Sequence, residues 1–136
     1  MKRWVMVLLL LCGTLAWADD LADAAIQRLS TVSMYAFGGV GFVGRITQGE
    51  LDFRIVVAQP REVAEAAFEK LYASGNPQAE AYALAGMKKM NPARFKELVM
   101  LAEGSTQEVR TGRGCIISRE PLRQIAQGLD RDGSGR

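Results

Sequence analysis

The residues best suited by type to do chemistry lie in Arg110-Thr111-Gly112-Arg113-Gly114-Cys115-Ile116-Ile117-Ser118-Arg119. The thiolate is the nucleophilic form of cysteine, and guanidinium groups close by favour it. Cys115 is therefore the candidate catalytic or redox-sensing residue, with Glu108 or Glu120 as the available base. The competing expectation makes Cys115, Ile116 and Ile117 a hydrophobic plug in the core ahead of the last helix. Arg110, Arg113 and Arg119, with Arg123, form a cluster suited to an anion or an acidic partner, or else a solvated basic face. The chain contains no histidine. That excludes Ser-His-Asp and Cys-His nucleophile systems and most zinc sites, which need an imidazole. No cofactor and no metal site are expected.

Two glycine-bearing motifs suggest ligands and then lack the context that would support them. Gly39-Val40-Gly41-Phe42-Val43-Gly44 spells G-x-G-x-x-G. In a dinucleotide fold this sequence joins a strand to a helix whose N-terminus faces a pyrophosphate. Here the flanking segment is a poor first strand and no strand–helix alternation follows, so the expectation is a tight apolar loop. Phe37, Val40, Phe42 and Val43 are then expected to cover the helices; exposed, this loop would be the best partner-binding candidate. Asp130-Arg131-Asp132-Gly133-Ser134-Gly135 copies the opening of a calcium loop, but lacks the position-12 glutamate and reads as a frayed tail.

The start of the chain reads as a secretory signal peptide over residues 1–18. Lys2 and Arg3 precede an apolar run from Val5 to Leu11, and Ala16-Trp17-Ala18 supplies the small residues for cleavage after Ala18. Cys12-Gly13 as a lipidation site is disfavoured, because Leu11 stands where a small residue is needed. The expectation is a periplasmic or secreted protein that does not span the membrane. The chain has 17 basic and 15 acidic residues, and removing Lys2 and Arg3 leaves 15 of each. The net positive charge thus belongs to the export segment and gives no reason to expect nucleic-acid binding. The remaining charge is uneven: residues 19–84 carry 5 basic and 9 acidic side chains, residues 85–136 carry 10 and 6. With Cys12 removed, Cys115 is the sole cysteine and an intrachain disulfide is impossible.

The elements that would position these residues read as helices. The spacing i, i+3, i+4, i+7 is met by Ala22-Ala25-Ile26-Leu29, by Ala64-Ala67-Phe68-Leu71, by Phe95-Leu98-Val99-Ala102 and by Leu122-Ile125-Ala126-Leu129. Asp20 is placed to cap the first, Pro60 to open the second, and Ser118 to cap the last with Pro121 in its first turn. Asn76-Pro77 opens a helix through Met90, and Asn91-Pro92 the next, so residues 77–103 read as an αα-hairpin with Gly75 and Gly104 at helix ends. Thr47 to Gln59 is contested. Leu51, Phe53, Ile55 and Val57 alternate as in a strand, yet Thr47-Gln48-Gly49-Glu50 has capping-box spacing, which favours a helix. The expected fold is all-α: one domain of five or six helices over 19–129, a Gly-rich apolar loop near 36–46, and a flexible tail over 130–136.

Short helices joined by proline-opened turns over residues 47–129 resemble the helical pairs of HEAT-like solenoids, although no fixed period emerges. With the signal sequence, the Ala36–Phe42 segment and Gly114-Cys115-Ile116, the chain resembles small exported bacterial helical-repeat proteins of unknown function. That resemblance implies no catalytic residues. The leading expectation is a non-catalytic module that binds another protein, immunity- or inhibitor-like. A Cys115-centred enzyme or redox sensor and an apolar ligand carrier are the alternatives.

Overall fold

A computed structural model describes residues 19–133. The expected signal peptide over residues 1–18 and the last three residues, 134–136, lie outside the described residues. The described residues are mostly helical but not all-α: beside six helices they hold a three-stranded mixed sheet. In order, the elements are α1 over 19–30, β1 Tyr35–Val40, α2 Gln48–Val57, α3 Arg61–Ser74, α4 Pro77–Met90, α5 Pro92–Glu103, β2 Glu108–Gly114, β3 Ile116–Pro121 and α6 Leu122–Arg131. No described helix is long and apolar enough to cross a membrane.

The four helical stripes are where the spacing placed them. Their chief members Ala25, Leu29, Ala64, Phe68, Leu71, Phe95, Leu98, Leu122 and Ala126 form one core. Helix α4 runs through its middle, with every residue from Ala79 to Met87 buried except Glu80. Its alanines and Gly86 leave room for neighbouring helices to approach closely. Asn76 and Asn91 cap α4 and α5 by accepting from the amides of Ala79 and Arg94, each with proline at the first turn. The expected αα-hairpin is therefore present.

The contested stretch 47–59 holds the helix α2, Gln48–Val57. Thr47 Oγ1 accepts from the Glu50 amide, as the capping spacing requires. The strand-like alternation misleads because α2 buries Glu50 and Asp52 together with Phe53 and Val56 while leaving Leu51 exposed. Buried carboxylates at polar positions break the simple apolar stripe.

The sheet corrects the all-α expectation. β1 pairs in parallel with β2, and β2 pairs antiparallel with β3. Two further expectations change with it. Ser118 lies inside β3 and caps nothing, because residues 108–121 form a hairpin and α6 starts only after Pro121. Asp20 lies within α1, which is already helical at residue 19. Pro60 and Pro121 each occupy the residue before their helix.

Candidate functional site

Alternation of side chains sorts the sheet into two faces. Val109 and Thr111 are buried, and Thr111 Oγ1 lies 2.9 Å from Ser118 Oγ and donates to Glu120 at 3.1 Å. Glu120 also pairs with Arg113 at 3.7 Å. This inner face looks toward the helices. Tyr35 and Phe37 of β1 share it, making edge-to-face contacts with Tyr82, and Phe37 with Phe53. Phe37 therefore turns into an aromatic cluster and belongs to the helix-facing side. Burial, with Tyr82 close by, pushes the Tyr35 phenol well above its ordinary range, so it stays neutral.

The outer face carries Arg110 and Arg119, which stand directly opposite one another across β2 and β3. Among the described residues neither has a carboxylate partner, and the same holds for Arg45. Gly112 lies between them and the tip; a Cβ there would meet Met34 Sδ at 2.6 Å, so a side chain at 112 would displace the methionine.

Two turns meet at the end of the sheet. Val40 and Arg45 close the first through paired hydrogen bonds of 3.0 Å, with Gly41 and Gly44 at positive φ. Gly39 approaches Gly44 so closely that a Cβ would lie 2.7 Å from its backbone. The G-x-G-x-x-G pattern is thus the signature of a tight turn, with no helix following it at the position a phosphate would need. Gly114 and Cys115 make the second turn; Gly114 has φ +56° and Cys115 does not share it, the II′ pattern of a two-residue hairpin. The Gly41 amide donates to the Gly114 carbonyl at 2.7 Å and ties the turns together.

The tied turns hold apolar side chains in solvent. Phe42 is 99% exposed, Val43 83%, Ile116 70% and Ile117 55%. The expectation that this loop covers the helices is corrected for Phe42, because the turn ending at Arg45 projects past the sheet. Cys115 is likewise exposed at the hairpin apex and plugs no core. Val40 is half-buried beside the tip. The sequence candidates divide accordingly: Val40, Phe42, Arg110 and Arg119 gather at the tip and outer face with Cys115, while Phe37 and Arg113 lie on the helix-facing side, both still exposed. Val43, part of the same apolar loop, joins them at the tip, whereas Ile116, Ile117 and Arg45 were missed as binding residues. For Phe42 and Val43 the signal was the turn itself, since both lie at the centre of a tight glycine turn closed by Val40 and Arg45.

Other recesses are open. One of about 290 Å³ between the sheet and α6 is lined by Tyr35, Thr111, Arg113, Glu120, Gln124 and Asp132, among others. A groove of about 690 Å³ between α1 and α3 is lined by Ile26, Val63 and Lys70, among others. Cys115 lines neither. No group of three histidine, cysteine or carboxylate side chains placed to hold a metal occurs among the described residues. Comparison with protein-family models, curated proteins and solved structures finds no match for this chain.

Proposed function

We propose that this chain is an exported, non-catalytic binding module that recognises another protein through the tip of its sheet. The observation that carries the reading is the full exposure of Phe42 beside Val43, Ile116 and Ile117. Exposed apolar side chains gathered in one place and rimmed by charge mark contact surfaces, and burying one aromatic contributes about 1.5–3 kcal/mol. Arg45, Arg110 and Arg119 supply a rim without internal ion pairs, suited to carboxylates on the partner. Export rests on the signal sequence at residues 1–18. An immunity- or inhibitor-like role fits the size and compartment.

The experiment is capture from native envelope extract with the wild-type protein and with Phe42→Ser/Ile116→Ser. A protein recovered with the wild type and lost with the double variant supports the reading. Equal recovery with both defeats it.

A further inference from the structure

The two edges of the sheet are treated differently. In β1, the Ala36 amide and carbonyl and the Gly38 amide turn away from β2, and side chains meet them. The Ala36 amide and carbonyl both bond to the Tyr82 hydroxyl, and the Gly38 amide donates to Glu50 at 2.9 Å. That edge is closed. At β3, the pairs Arg113–Ile116, Thr111–Ser118 and Val109–Glu120 alternate with Gly112–Ile117 and Arg110–Arg119. In a hairpin closed by a two-residue turn, the pair beside the turn exchanges both bonds and the pattern alternates from there. Ile116, Ser118 and Glu120 therefore bond to β2, and the amides and carbonyls of Ile117 and Arg119 face outward. No other hydrogen bond among the described residues uses them. Pro121 falls in the same outward set and lacks an N–H, which ends the open stretch.

We propose that the open edge of β3 accepts an extended acidic segment of the partner protein as a fourth strand of the sheet. This rests on the protein-binding reading above. Natural sheets guard their edges, and an edge left open is a template for an added strand. The charges specify which strand. Arg110 and Arg119 oppose each other on the outer face, an unfavourable pairing of like charges. A carboxylate beside Arg119 relieves it. On the inner face Glu120 disfavours an acidic neighbour. A segment alternating acidic and neutral residues, with the acids on the outer face, satisfies both conditions. A second copy of this chain does not, because it would bring a further Arg119 to the same edge.

The probes are a capped octapeptide of alternating valine and glutamate and its counterpart with lysine in place of glutamate, titrated into the protein by NMR with amide exchange. Binding of the glutamate peptide is expected to slow exchange at Ile117 and Arg119. It is expected to be tighter than the lysine peptide by about tenfold, the scale of one charge-assisted contact. Ile117→Pro removes an outward N–H without removing a bond to β2, and should abolish binding. Two glutamate peptides, N-methylated at the valines or at the glutamates, keep the protein untouched; only one of them should bind. Unprotected Ile117 and Arg119 amides at saturation, equal affinity for the lysine peptide, or equal behaviour of the methylated pair would overturn the proposal. Absence of peptide binding, with capture of a protein still dependent on Phe42 and Ile116, overturns strand addition and leaves the protein-binding reading standing. Binding to phosphatidylglycerol vesicles with neither peptide nor protein bound overturns both.

Discussion

The hydroxyl of Tyr82 closes both hydrogen-bonding groups of Ala36: it accepts from the Ala36 amide at 3.2 Å and donates to the Ala36 carbonyl at 2.9 Å. One side chain from the buried helix α4 thus stands in for the neighbouring strand that β1 lacks. Tyr82→Phe keeps the ring contacts and leaves both Ala36 groups unpaired in a buried place. The expected loss is about 1–3 kcal/mol in chemical denaturation, with faster amide exchange at Ala36. An unchanged midpoint would mean that the edge is satisfied in another way.

Gly86 is required by Phe68. A Cβ on Gly86 would lie 2.3 Å from the Phe68 ring, in a core where both residues are buried. Gly86→Ala gains about 1 kcal/mol of helix propensity, but overpacking of this kind costs typically 1–3 kcal/mol. A net fall in stability is expected. Phe68→Leu in the Gly86→Ala background should recover part of it, as a denaturation cycle would show.

The ion pair between α1 and α2 is asymmetric. Asp52 is buried and accepts from Arg28 at 2.6–3.1 Å and from Gln48 at 3.1 Å, whereas the Arg28 side chain is half exposed. Removing the arginine strands a buried carboxylate; removing the carboxylate releases a guanidinium to water. Arg28→Met is therefore expected to lower the denaturation midpoint more than Asp52→Asn. The reverse order would contradict this account.

Stability should respond to pH through two glutamates in opposite directions. Burial raises the Glu80 pKa, only partly offset by the hydrogen bond from Gln107, so its ionisation weakens the fold as pH rises above the ordinary value of 4.5. Hydrogen bonding to Arg94 lowers the Glu69 pKa, so its contribution is present above 4.5 and is lost as pH falls below it. Both groups are largely solvent-screened, so each effect is modest. Glu80→Gln should raise the thermal midpoint at pH 7, with a difference that shrinks toward pH 4. Glu69→Gln should lower it at pH 7, again with convergence at low pH.

The helices were legible because their information is local. Stripes, Asn-Pro openings and the Thr47 cap all lie within a few residues of what they determine. The sheet was not. β1 finds β2 more than seventy positions away in the sequence, and Tyr35-Ala36-Phe37-Gly38-Gly39-Val40 has too many glycines to look like a strand. In 108–121 the helix-facing side carries Val109, Thr111, Ser118 and Glu120, of which only Val109 and Thr111 are buried, and hydrogen bonds join the polar members, so no apolar alternation marks it. The site followed the same division. Arg110, Arg119 and Phe42 were found from residue type, whereas their shared location depended on two turns meeting through Gly41 and Gly114.

The most direct test of the binding surface is a photo-crosslinking amino acid placed at position 42, in the exposed turn, and separately at position 62 on α3, which packs against α2 and α4. Phe42 is solvent-exposed, so replacing it should alter stability by no more than about 0.5 kcal/mol. In envelope extract, position 42 is predicted to give a discrete protein adduct that excess wild-type protein competes away, and position 62 is predicted to give none. No adduct from position 42, or the same adducts from both positions, would contradict the account.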